Sequence, residues 1–129
     1  MVDVWTARVS YRGSDRLDVS RKGGDPIGVL FAPSWALLRP FLEQRRAGIP
    51  LTDEGWQRYS DAYTAEMRVS HCCARDTWNE VLARDSVTLL CFCTSANQCH
   101  RTILASLFWS LGANLCGERA STGTLRGIE

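Results

Sequence analysis

Apolar and polar positions fall in blocks along the chain, and each block predicts one element. Val2 to Val9 combines β-branched and aromatic residues and predicts a first strand. Arg12 to Asp15 reads as a turn, and Leu17 to Ser20 as a short strand or extended loop. The glycine-rich stretch 21–28 reads as a surface loop. Ser34 stands where it can cap a helix whose stripe is Leu37, Leu38, Phe41 and Leu42. Pro40 lies inside that stripe and predicts a kink or break. Thr52 starts a second helix, with Asp53 and Glu54 suited to its positive N-terminus. Trp56, Tyr59, Tyr63 and Met67 then keep helical spacing, and a third helix is expected over 75–83 with Trp78, Val81 and Leu82 inward.

The stretch Ser86 to Cys93 is apolar on both faces, the mark of a central parallel strand covered by helices. Ile103, Leu104, Leu107, Phe108 and Leu111 give the next helix an apolar face, and Gly112 stops it. Residues 114–118 form a short final strand, and 120–129 have few anchors and read as a tail. A strand, helix and strand in succession imply a parallel crossover. The expected fold is α/β: a single-domain sandwich over 1–119, with a short, mainly parallel sheet flanked by helices.

Composition narrows the class. The 129 residues are 45% hydrophobic, enough for one packed core. No apolar run approaches a membrane span, and Met1 to Val4 lacks the start of a signal peptide. A soluble cytoplasmic protein with no membrane partner is the expectation. The six cysteines then read as reduced thiols that ligate or react, rather than as a disulfide framework. A net charge of +1 supplies no bulk field for nucleic acid. Arginine outnumbers the single lysine, Lys22, which genomic base composition explains better than bidentate phosphate contacts do.

Candidate chemistry concentrates where the middle strand ends. Cys91 and Cys93 are followed by a polar loop and then by Cys99-His100-Arg101 at a helix start. Free N–H groups and the helix dipole there favour a thiolate or a bound anion. A cysteine-phosphatase loop is excluded, because the residue six before Arg101 is Ser95. Direct pairing of Cys99 with His100 is disfavoured, since adjacent side chains on a helix diverge by roughly 100°. An alternative is a zinc or iron site drawn from Cys91, Cys93, Cys99 and Cys116, with His100 contributing if the turn is irregular. Cys91-x-Cys93 is too tight for a usual zinc knuckle. Cys72 and Cys73 read as structural, His71 as a surface or satisfied histidine, and the aromatic stripe as core. Ligands of open parallel sheets sit beyond the C-terminal strand ends, which brings Thr6, Arg8, the 91–101 segment and Glu118 to one crevice.

Val4-Trp-Thr-Ala-Arg8, Tyr11-Arg-Gly13, Leu17-Asp-Val19, Phe31-Ala-Pro-Ser-Trp35, Tyr63 with Met67-Arg68, and Cys91-x-Cys93 with Cys99-His100-Arg101 resemble one family. It is the domain-of-unknown-function family 488, especially its small microbial and phage-borne members. The resemblance implies an α/β fold and a shared pocket. It implies no settled reaction.

Three functions follow as expectations. The first is a nucleotide-, nucleoside- or base-related enzyme or ligand-binding domain. In it Cys99, His100 and Glu118 are the catalytic candidates, and Thr6, Arg8, Cys93 and Arg101 bind a small anionic or base-containing ligand, or nucleic acid. The second is the cysteine-ligated metal protein. The third is a non-catalytic module that binds or inhibits a protein partner.

Overall fold

A computed structural model describes residues 1–92 and 99–119. Cys93 and the expected tail 120–129 lie outside the described residues. The strands are β1 (Asp3–Arg8), β2 (Arg16–Asp18), β3 (Ser86–Cys91) and β4 (Asn114–Glu118). The helices are α1 (Trp35–Arg46), α2 (Asp53–Cys73), α3 (Arg75–Leu82) and α4 (His100–Ser110), with a 3-10 turn at Gly28–Phe31. The sheet order is β2-β3-β1-β4, and every pairing is parallel.

Strand alternation explains the layers. Val2 and Val4 of the β1 arm, Leu17 and Val19, and Val87 and Leu89 all turn to one face. There they meet Phe41 of α1, Tyr63 and Met67 of α2, Trp78 of α3, and Leu104 and Phe108 of α4 in one core. The four helices of the described residues therefore share one side of the sheet. The other side carries a smaller cluster of Ala7, Tyr11 and Leu90. Arg119 lies across it, 4.0 Å from the Trp5 ring centroid, with its Nε donating to the Thr88 hydroxyl at 3.0 Å. Asp15 accepts from Tyr11, Ser86 and Thr88 there. Burial alone would raise its carboxyl pKa, but those hydroxyl donors and Arg119 hold it below the ordinary value. The covering of β3 by helices on both faces, expected from its apolar run, is thus met by helices on one face and by the Tyr11 segment with Arg119 on the other.

The caps follow the sequence. The Ser34 hydroxyl accepts from the Leu37 amide at 3.2 Å, and the Thr52 hydroxyl from the Gly55 amide at 2.9 Å. Gly112 takes φ +106 just past α4, a conformation that favours glycine. The break expected at Pro40 is absent: α1 runs as one helix from Trp35 to Arg46. Pro40 is exposed there, so its ring meets solvent, and the lost amide bond is the remaining cost. Replacing Pro40 by alanine is expected to raise stability by about 1–2 kcal/mol, the gain in helix propensity less the entropy that proline removes from the unfolded chain. A urea titration showing no gain would contradict this account of the exposed helix face.

Candidate functional site

The C-terminal ends of β1, β3 and β4 and the start of α4 meet at one edge of the sheet. Cys99 is the N-cap of α4, with extended backbone at φ −146 and ψ 142. That conformation sets aside the helical divergence expected between Cys99 and His100. Ligand atoms of Cys91, Cys99 and His100 lie within 4.8 Å of one another, and all three residues are buried. The Cys91 and Cys99 sulfurs are in contact, with their Cα atoms 7.9 Å apart.

Arg101 is the centre of the arrangement. It is fully buried, at 0% exposure. Its Nη1 donates to the Cys91 sulfur at 3.2 Å and to the Cys99 sulfur at 3.5 Å. Its Nη2 and Nε donate to the two Glu118 carboxylate oxygens at 2.9 and 3.3 Å. The Thr6 hydroxyl donates a short bond to the same carboxylate. A planar guanidinium suits this task, because it holds a carboxylate with one edge and reaches other acceptors with the rest.

A bulge in β4 makes this pairing possible. The β1–β4 register runs Val4 with Leu115, then jumps to Trp5 with Gly117 and Thr6 with Glu118. Cys116 is the extra residue. Without it, Glu118 would fall opposite Ala7 and point to the other face of the sheet. With it, Glu118 joins Thr6 on the helix side and reaches Arg101. The same bulge corrects the expected metal quartet: Cys116 is exposed on the edge strand, its sulfur 3.8 Å from the Asn114 carbonyl, outside the Cys91–Cys99–His100 group. Cys93 lies outside the described residues. Cys72 and Cys73 are both exposed on α2, so neither packs in the core.

His100 is fixed as firmly as Arg101. Its Nε2 is 2.8 Å from the Val19 carbonyl, and its ring meets the Tyr63 ring edge-on at 5.5 Å. A carbonyl only accepts, so Nε2 carries the proton and Nδ1 keeps the lone pair. Burial pushes the imidazole pKa down to about 4; neighbouring Arg101 acts in the same direction, against the Val19 carbonyl and Asp18. The unfolded chain therefore binds a proton near pH 6.5 that the folded chain refuses until about pH 4. The associated stability is complete at pH 7 and is lost as pH falls through that window, up to about 3 kcal/mol in all. With EDTA present, His100→Gln is expected to flatten the fall in urea stability between pH 7 and 5 by about 2 kcal/mol. Equal slopes for the two proteins would contradict the buried neutral imidazole.

Cys91 and His100 also line a cavity of about 380 Å³. Its apolar lining comes from Leu38, Phe41, Leu42 and Phe92, with Tyr59. Arg21, Lys22 and Arg46 supply cations around it. Arg21 is held by the Pro33 and Ala32 carbonyls at 2.9 and 3.2 Å, and Lys22 lies 5.7 Å from the Trp35 ring centroid. These cavity cations escaped sequence reasoning because two of them sit in the glycine-rich loop and one in the last turn of α1. Arg101 and Glu118 are not among the wall residues. Arg8, the strand-end ligand candidate, is exposed and opposite Cys91 in the β1–β3 register.

Fold and site together define a small α/β domain with a buried sulfur, imidazole and guanidinium cluster at the C-terminal edge of a parallel sheet. A family model described as DUF488-N3a, Active DUF488-N3 subclade, matches residues 1–111, and the chain belongs to the DUF488 family. The match stops before β4, so Glu118 and the bulge lie beyond it. No curated protein and no solved structure matches the chain. No helix among the described residues is long and apolar enough to cross a membrane.

Proposed function

We propose that the chain binds a nucleotide or a related base-containing anion in the cavity that Cys91 and His100 help to line. The cavity itself carries the reading. Its volume lies within the range of about 300–1,000 Å³ typical of small-molecule sites, and its lining is mainly apolar with a few charged groups. Phe41, Leu42 and Phe92 offer apolar and aromatic surface to a flat base. Arg46 and Lys22 offer charge to a phosphate. In this reading Arg101 is a positioning residue: it holds Cys91 and Cys99 against Glu118 and leaves phosphate contacts to the cavity cations. The thiol and imidazole in the same lining offer nucleophile and base chemistry in this reading.

Calorimetric titration tests this with nucleoside 5′-monophosphates, the matching nucleosides and inorganic phosphate. At least one monophosphate is expected to bind more tightly than both its nucleoside and phosphate. Arg46→Ala is expected to weaken that monophosphate about tenfold, the value of one charge-assisted hydrogen bond, and to leave the nucleoside unchanged. Absence of saturable heat from the whole panel would end the proposal.

A further inference from the structure

We infer that Cys91, Cys99 and His100 are a binding site for a tetrahedral divalent metal ion of the zinc class. The backbone spacing points to it first. Disulfides usually have Cα atoms about 5.5–6 Å apart and rarely above about 6.8 Å, whereas this pair stands at 7.9 Å. Two thiolates on one zinc ion, each about 2.3 Å from it, stand roughly 3.8 Å apart. Exchanging a sulfur–sulfur bond of about 2.05 Å for that separation adds roughly 1.7 Å of reach, which carries the usual spacing close to the one found.

The imidazole gives independent support. A metal-bound histidine commonly donates its other ring N–H to a carbonyl, which fixes ring and tautomer. His100 makes that bond to Val19 and keeps the Nδ1 lone pair for the ion. Arg101 is the matching outer partner of the sulfurs, donating to both while Glu118 balances its charge. Charge is consistent as well. Two buried thiolates without a cation would leave two uncompensated negative charges, and a dication cancels them. Two sulfurs and one imidazole select zinc or a similar soft-tolerant ion over magnesium or calcium. Among the described residues three side chains supply ligands, so the fourth tetrahedral position is filled from outside that set. The ion's presence stands apart from the cavity reading; its action on a bound ligand rests on that reading, because Cys91 and His100 also line the cavity.

Cobalt(II) is the probe. Full-length protein, purified reduced and metal-free, is titrated with cobalt(II) and followed by absorption. The expected result is one equivalent bound, with intense visible bands of tetrahedral cobalt and a sulfur-to-cobalt charge-transfer band, displaced by zinc. His100→Ala and Cys99→Ala are expected to lose affinity by more than the roughly 10–100-fold typical of losing an outer partner. Cys116→Ser is expected to keep wild-type spectra and stoichiometry, since that thiol is exposed. If the ligand variants unfold, the wild type still decides: relative to the metal-free protein, bound zinc must shield at least two of the six thiols from a thiol reagent. A weak octahedral spectrum, bands lost in Cys116→Ser, or no shielded thiols would each overturn the proposal. Nucleoside monophosphate titration of the metal-free protein separates the two readings, because cavity binding without metal leaves the earlier one standing.

Discussion

Arg101→Leu is expected to cost about 3 kcal/mol or more in folding stability, near the lower end of the range for removing one partner of a buried ion pair. Arg101 is fully buried, and among the described residues its guanidinium donates to both sulfurs of the Cys91–Cys99 pair and to both Glu118 oxygens. Leucine fills part of the volume and replaces none of those bonds. Glu118 is left with the Thr6 hydroxyl, and its side chain is exposed enough (37%) to hydrate, which limits the loss. Adding Glu118→Gln removes the stranded charge and is expected to recover about 1 kcal/mol. Arg101→Lys keeps the charge and loses the fork, so it is expected to fall between the two. Urea unfolding measures all three. A leucine variant within about 0.5 kcal/mol of wild type, the size of an ordinary surface change, would show that Arg101 does not organise this edge.

Trp78→Ala is the second large effect, expected at about 3–5 kcal/mol, the usual range for a buried tryptophan cut to alanine. Trp78 is 1% exposed, with its ring 4.8 Å from that of Phe31 and 5.3 Å from that of Phe108. Its indole N–H donates to the Ser70 hydroxyl at 3.0 Å, and that hydroxyl donates to the Leu30 carbonyl at 2.8 Å. Tyr63 donates to the Phe31 carbonyl at 2.6 Å from the other side. Trp78 thus ties α3 to the 3-10 turn and to the segment whose carbonyls hold Arg21 of the cavity. Ser70→Ala is expected to cost about 1 kcal/mol, the hydrogen-bond part alone. Thermal unfolding of both variants checks the ratio. A smaller loss in Trp78→Ala than in Ser70→Ala would contradict the packing account.

The elements were readable in the sequence for physical reasons. The β-branched and aromatic run at Val2, the run at Ser86 that is apolar on both faces, and the helical stripes at Leu37, Trp56 and Ile103 report burial directly. Ser34 and Thr52 report the helix starts. The strand ends that hold Thr6, Cys91 and Glu118, and the helix start that holds Arg101, were also legible, because parallel sheets collect ligand residues at that end. Three things were not. Pro40 is tolerated because its helix face is exposed, and exposure is a tertiary property. The bulge at Cys116 turns Glu118 to the helix side, and a one-residue register change leaves no mark in a five-residue strand. Arg101 reads as an anion ligand from its neighbours, but its burial against two sulfurs and a carboxylate depends on residues ten before and seventeen after it.

Chemical-shift mapping of the full chain with a nucleoside 5′-monophosphate tests the central claim most directly. The cavity reading predicts saturable amide shifts at Arg21, Lys22, Phe41, Leu42, Arg46 and Phe92, with His100 ring signals moving in the same titration. Shifts confined to the separate groove beside Ser70, Cys73 and Ala74, or no saturable shifts at all, would contradict it.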